Sequence, residues 1–202
     1  MTDLPANLRQ LLSAQRGGDE AARAEVLEPF EPWLHLLARL QIDAEFQGKF
    51  DPSDIAQQTL LEAYRDLDKF RGQSEPELLA WLRQILAHVL AHEIRRHQGT
   101  QRRDLSREVS LEASLAQTSL RLGAILADPG PSPSQQAAAR EQEVLLAAVL
   151  ARLPDDYREV IVLRNLQELP HEEIARRMNR SIGAVRMLWL RALAQLRSEI
   201  AP

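Results

Sequence analysis

The chain has 202 residues, a formal net charge of −4, 45% hydrophobic residues and only 4% aromatics. That length suits one or two small domains, and an Ala- and Leu-rich composition without any sustained alternating β-branched run favours helices. The absence of Cys excludes structural disulfides, thiolate zinc sites and cysteine catalysis, and the acidic balance argues against a free-standing polyanion binder.

Residues 4–40 read as two helices separated by Gly17-Gly18-Asp19, with Asp19 able to cap the second. Pro29 and Pro32 interrupt that second helix and predict a break or kink between residues 28 and 32. Asp51-Pro52-Ser53-Asp54 is a strong helix start, with Asp51 as cap, Pro52 at the first position and Asp54 as the third-position acid. The helix is expected to run to about Phe70 and to bury Ile55, Leu61, Tyr64 and Leu67. A polar loop over residues 72–76 leads to a long helix, 76–98. Its spacing turns Leu79, Leu82, Ile85, Leu86, Val89 and Ile94 inward and leaves the basic end, Arg95-Arg96, outward.

The character changes between residues 99 and 133. Asp128-Pro129-Gly130-Pro131-Ser132-Pro133-Ser134 cannot be a regular helix and reads as a flexible connection, while residues 110–126 keep some helical spacing. Helix resumes from Gln135 and passes through Leu153-Pro154 into a terminal module. There Pro154 opens an amphipathic run with Tyr157, Val160, Ile161 and Leu163, and after a break at residues 167–170 a short helix, 171–178, buries Ile174, Ala175 and Met178. The tight stretch Asn179-Arg180-Ser181 follows, with Ser181 placed as N-cap of a longer helix. In that helix Ile182, Val185, Trp189, Ala192, Leu193, Leu196 and Ile200 form one apolar stripe, and Arg186, Met187, Leu190 and Arg191 lie opposite. A short helix, a tight turn and a longer helix with basic residues near its start is the geometry that fits a DNA major groove.

The predicted fold is therefore all-α. Two small helical domains, 1–100 and 135–202, are joined by a flexible linker, 101–134, and the second is a helix-turn-helix domain of winged-helix-like, three- or four-helix form. Charge is unevenly placed along it. After residue 174, Arg176, Arg177, Arg180, Arg186, Arg191 and Arg197 face one acid, Glu199, and residues 81–107 are also basic, whereas residues 51–70 are acidic. Two basic surfaces and an acidic helix suggest two DNA contacts and a separate protein partner. No apolar run approaches the ~18 residues of a membrane span and the first fifteen residues hold no cleavage signal, so a cytoplasmic protein without membrane insertion is expected.

Two apparent active sites fail, one for want of a third ligand and one on spacing. His88 and His92 stand at i and i+4 with Glu93 nearby, but no third ligand accompanies them. In His92-Glu93-Ile94-Arg95-Arg96-His97 the second His falls five positions after the first, whereas the zinc-protease motif needs four. With no Gly-rich phosphate loop, nucleophile elbow or convincing carboxylate pair, no enzyme, metal or cofactor is expected.

Several separate motifs, in order, resemble bacterial RNA polymerase sigma factors of the extracytoplasmic-function (ECF) type within the sigma-70 family. The resemblance covers residues 30–97 and 135–197. Asp54-Ile55-Ala56-Gln57-Gln58-Thr59-Leu60 resembles the polymerase-binding helix, Phe70-Arg71-Gly72 the promoter-melting loop, and Trp81-Leu82 through Arg95-Arg96 the −10-reading helix. Leu153-Pro154-Asp155-Asp156-Tyr157-Arg158-Glu159-Val160, Glu172-Glu173-Ile174-Ala175, Gly183-Ala184-Val185-Arg186 and Arg191-Ala192 resemble the −35-reading domain.

What the resemblance implies is a non-catalytic transcription initiation factor whose partners are core RNA polymerase and promoter DNA, with an anti-sigma factor as a further candidate. Asp54, Gln57, Gln58 and Glu62 would dock on polymerase. Arg71 would hold strand phosphates in the melting loop, Arg83, Arg95 and Arg96 would contact phosphates, and His88 and His92 would face the groove or displaced strand. In the terminal helix Arg186 is the candidate for a direct base contact, Ala184 and Met187 offer apolar contacts, and Arg180, Ser181 and Arg191 bind phosphate. The chain departs from the family pattern at Gln58, where an acid is common. It departs again at Ala87, His88 and His92, where Arg, Asn and Asp are frequent, and at Leu188, which replaces a frequent basic residue. Two other readings stay open at this point: a stand-alone helix-turn-helix regulator, and a helical adaptor whose outward Met187, Leu188 and Leu190 bind protein instead of DNA.

Overall fold

Every regular element in the computed structural model is helical, with no strand among the residues it describes, 20–42, 51–98, 105–125 and 142–200. The expected helix before residue 19, the Gly17-Gly18-Asp19 break, the Pro-rich stretch 128–134 and the helix start at Gln135 lie outside them. The chain divides into two compact units, Met1–Gln117 and Thr118–Pro202.

In the first unit, α1 (Glu20–Leu27) meets the prolines as expected. A 3-10 turn, Glu28–Phe30, intervenes before α2 (Glu31–Gln41), since Pro29 and Pro32 each remove a backbone donor. Then α3 (Pro52–Asp66) starts where the sequence predicts, the Asp51 side chain accepting from the Ser53 N–H at 2.8 Å. That bond holds the Asp51 carboxyl below the usual carboxylate range. The face that α3 buries is narrower than predicted. Ile55, Ala56, Thr59 and Ala63 are buried, Tyr64 is half-buried, and Leu61 stands 51% exposed. Small residues on that face let α3 pack against both α2 and α4 (Glu75–Gln98). The packing encloses Phe30, Trp33, Leu34 and Leu37 together with Leu78, Leu79, Leu82, Leu86 and Leu90.

The start of α4 is capped by Glu77 reaching back to Ser74. The Glu77 carboxylate accepts from the Ser74 N–H at 3.0 Å and the Ser74 hydroxyl at 2.7 Å, which holds it below its ordinary pKa. Ahead of it Gly72 is fixed by close approach, because a Cβ there would lie 2.3 Å from Phe70 Cζ and 2.9 Å from Glu77 Cβ. The Phe70 ring in turn lies 5.3 Å from Trp81.

Within the stretch expected as linker the chain forms α5 (Leu105–Ala124). The reason is a heptad-like spacing of Leu115, Leu122 and Ile125, all buried. In the second unit α6 (Glu143–Arg152) buries Val144, Leu146, Ala147, Val149 and Leu150. Asp155 and Asp156 lie in the first turn of α7 (Asp155–Ile161), where the helix dipole favours acids. The helix then widens into a π turn, Val162–Leu166, with Gln167 N–H donating to the Val162 carbonyl at 3.0 Å. Glu168 follows with φ of 57°. Arg121, from the end of α5, steadies this corner, donating to the Leu166 carbonyl and pairing with Glu168 at 2.7 Å. Beyond it, α8 (His171–Arg177) and α9 (Ile182–Ile200) close the core through Ile174, Ala175, Val185, Ala192 and Leu196.

Candidate nucleic-acid and polymerase interfaces

The turn between α8 and α9 is built as two interlocking caps. Asn179 takes φ of 50°, a conformation Asn tolerates better than most residues. The Arg180 N–H then reaches the Ala175 carbonyl at 2.9 Å and the Asn179 N–H the Arg176 carbonyl at 3.3 Å, the two bonds of a Schellman motif. Directly after it the Ser181 hydroxyl accepts from the Ala184 N–H at 3.2 Å, the predicted N-cap, which contributes about 1 kcal/mol. Two helices are thereby joined through a turn with little freedom.

What this turn presents is an exposed face on α9. Ala184, Arg186 and Arg191 are exposed, Met187 is 51% exposed and Leu190 53%. Neither Arg186 nor Arg191 has a hydrogen bond or ion pair among the described residues, so both guanidinium groups are available to a partner. A Cβ added at Gly183, in the first turn, would meet no atom within 4 Å, so packing within the protein does not require glycine there. The surrounding arginines differ. Arg180 pairs with Asp156, at the start of α7, and both Arg176 and Arg177 pair with Glu173. Behind the face, half-buried Trp189 donates from Nε1 to Asn165 Oδ1 at 2.9 Å, and its ring meets the His171 ring edge-on at 5.8 Å. Burial, with the Arg164 and Arg186 charges, holds the His171 imidazole below its ordinary pKa.

In the first unit, the polymerase-docking candidates share one stripe of α3. Asp54, Gln57 and Gln58 are exposed, Glu62 is half-buried, and Gln58 Nε2 donates to Glu62 Oε1 at 3.1 Å. Leu61 belongs to the same stripe. Expecting it in the core was wrong because helical spacing alone could not decide between two neighbouring faces.

The −10 candidates are more dispersed. Arg71 donates to the Asp68 carbonyl at 2.7 Å, which folds it against the preceding turn. Arg83 lies 6.0 Å over the Trp33 ring, Arg96 pairs with Glu93 at 3.0 Å, and Arg95 is half-buried. His92 is exposed and its Nδ1 lies 3.4 Å from Glu93. His88 and Gln84, one turn apart on α4, both face acids of α5: His88 Nδ1 lies 3.3 Å from Glu108, and Gln84 donates to Glu112 at 3.3 Å. Replacing both acids by Gln should therefore strengthen binding of a single-stranded A·T-rich oligonucleotide two- to five-fold at about 0.1 M salt. Titration by fluorescence anisotropy checks this, and an unchanged affinity would show that the acids do not shield that face.

No three His, Asp or Glu side chains gather into a metal-binding group among the described residues, and no described helix is long and apolar enough to cross a membrane. Sequence reasoning missed the Ser74–Glu77 cap, although its Ser-x-x-Glu spacing was visible, and missed the Asn165–Trp189 bond, for which no sequence signal existed.

Comparison with known proteins converges on one family. Residues 143–196 match the family model described as sigma-70, region 4. The ECF RNA polymerase sigma factor SigD of Mycobacterium tuberculosis is 30% identical over 200 residues, which is 99% of this chain and 87% of that protein. The ECF RNA polymerase sigma-E factor of Salmonella typhimurium is 31% identical over 153 residues, 75% of each chain. A probable RNA polymerase sigma factor, RfaY of Xanthomonas campestris, is 33% identical over 147 residues, but the match spans only 33% of its length. With a relative at this identity aligned along nearly its whole length, the chain belongs to the ECF family of sigma-70 RNA polymerase sigma factors.

Proposed function

We infer that this sigma factor binds core RNA polymerase through the exposed stripe of α3 and directs it to promoters through two DNA contacts. Residues 1–100 carry the polymerase-docking and −10 functions, and residues 135–202 read the −35 element as a helix-turn-helix. It is a transcription factor and not an enzyme. The observation that carries this reading is the α8–turn–α9 unit: a Schellman turn, a capped second helix and an outward face with two arginines that pair with none of the described residues, all within the segment that matches sigma-70 region 4. Arg186 lies five residues after the cap, among the N-terminal residues that enter a major groove in such motifs. The stand-alone regulator leaves the α3 stripe without a role.

The test is in vitro transcription with core polymerase and fragmented genomic DNA, with and without this protein. Discrete new start sites are expected. A stable complex with no new starts would overturn promoter reading, and tight duplex binding without polymerase would favour the stand-alone regulator.

A further inference from the structure

The core contacts of α9 come from Val185, Ala192 and Leu196, all fully buried. Aliphatic contacts are strong but lack direction, and the Schellman turn and Ser181 cap fix only the start of the helix, so the roll of its later turns is resisted by packing alone. A roll of roughly 20° would carry the tip of a side chain about 2 Å sideways, given the 10–12 Å diameter of a helix with its side chains. A bidentate hydrogen bond to a base edge does not survive such a shift.

One directional restraint is present at the right place. Trp189 stands three residues after Arg186 and four before Leu193, between the exposed and buried faces. Its indole N–H donates to Asn165, in the π turn, at 2.9 Å. Its ring is braced by His171, the first residue of α8, at 5.8 Å and 79°. His171 Nε2 is buried with no hydrogen-bond partner, so that imidazole supports the indole by its edge and does not compete for its N–H. Asn165 is itself held between Leu163 and Leu166, both buried, and its neighbour Arg164 is tied to the Leu169 carbonyl at 3.0 Å. The acceptor is thus as fixed as the donor.

We propose that Asn165 and Trp189 are positioning residues for base reading: the hydrogen bond between them sets the roll of α9 and so the register in which Arg186 and Met187 meet the −35 bases. This rests on the helix-turn-helix reading above. Asn165 acts from outside the turn and the reading helix, touching no DNA itself. Asn165→Leu keeps the volume roughly constant but leaves the indole N–H unpaired, and Trp189→Phe keeps a ring but removes the donor.

The experiment uses holoenzyme and a promoter library with a randomised eight-base-pair −35 block, with transcripts sequenced. The wild type is expected to enrich one element. Asn165→Leu and Trp189→Phe should each lower that enrichment about tenfold across every position of the element, and the double variant should be no worse than either, since one bond is lost in all three. Asn165→Asp, which keeps an accepting oxygen, should retain the element. Arg186→Ala, by contrast, should erase preference at one or two adjacent positions only. The indole ¹H–¹⁵N resonance of Trp189 should move in Asn165→Leu. If Asn165→Leu and Trp189→Phe lower the melting temperature yet keep the full preference, the bond is merely structural and the proposal is overturned. A wild type that enriches nothing sinks the −35 reading, and the positioning role with it.

Discussion

Arg186→Ala should erase preference at one or two adjacent −35 positions and so weaken use of the wild-type promoters, while leaving the protein folded and bound to polymerase. Arg186 is exposed in the second turn of α9 and makes no hydrogen bond or ion pair among the described residues, so its removal leaves no buried group unsatisfied. Surface substitutions of this kind usually change stability by less than about 0.5 kcal/mol. A bidentate arginine–guanine contact, on the other hand, is worth about 1–3 kcal/mol of discrimination against the wrong base, roughly a 5- to 150-fold loss. Start-site mapping with reconstituted holoenzyme reads it directly. Because His171 feels the Arg186 charge, the variant should also let the imidazole titrate at a higher pH, an independent check that the two side chains are neighbours. Transcription from the same sites at the same rate would remove Arg186 from the reading surface.

The ion pairs around that surface bear on how tightly the free protein holds DNA. Arg176, Arg177 and Arg180 are each partly neutralised by Glu173 or Asp156, which leaves Arg186, Arg191 and Arg197 without an ion pair among the described residues of α8 and α9. With a net charge of −4, few phosphates are neutralised and non-specific affinity stays low. On the proposed reading this suits a factor that acts only on polymerase, where two weak contacts on one assembly reinforce each other through effective concentration.

Local rules carried the sequence reading furthest. The Asp51 and Ser181 caps, the proline break at Glu28–Phe30 and the tight turn at Asn179 each depend on a few adjacent residues, and each stands in the structure. The arginines on α9 were placed by periodicity, which is reliable when one face of a long helix is strongly apolar. What escaped depends on contacts distant in sequence. Asn165 and Trp189 meet across 24 residues because α7 widens into a π turn, and helical periodicity assumes a constant 3.6 residues per turn. The pairing of Glu108 and Glu112 with His88 and Gln84 joins residues from two regions read as domain and linker. Leu61 was misplaced because α3 has apolar residues on two overlapping stripes, and only packing against α2 and α4 selects the one with Ala56, Thr59 and Ala63.

That misplacement leads to the other large effect. Leu61→Ala should weaken association with core polymerase about 10- to 30-fold without harming the fold. An exposed leucine is ordinary on its own, but this one follows Asp54, Gln57 and Gln58 at helical spacing, in the middle of a polar face proposed to dock on another protein. A side chain at the centre of a polar rim is where interface energy concentrates, and the predicted loss corresponds to about 1.4–2 kcal/mol. Alanine is the better helix former, and a side chain 51% exposed has little core to leave, so thermal stability should hold or rise slightly. Leu61→Lys should go further, because it adds a cation to a face whose carboxylates are proposed to meet basic polymerase residues. Val109→Ala is the control: Val109 is 66% exposed on α5 and outside the stripe, and its loss should leave the affinity unchanged. Affinities measured by competition against a labelled sigma factor would settle the comparison. If Leu61→Ala binds core polymerase as tightly as Val109→Ala, docking does not use the α3 stripe, and Gln57 and Gln58 lose their assignment with it.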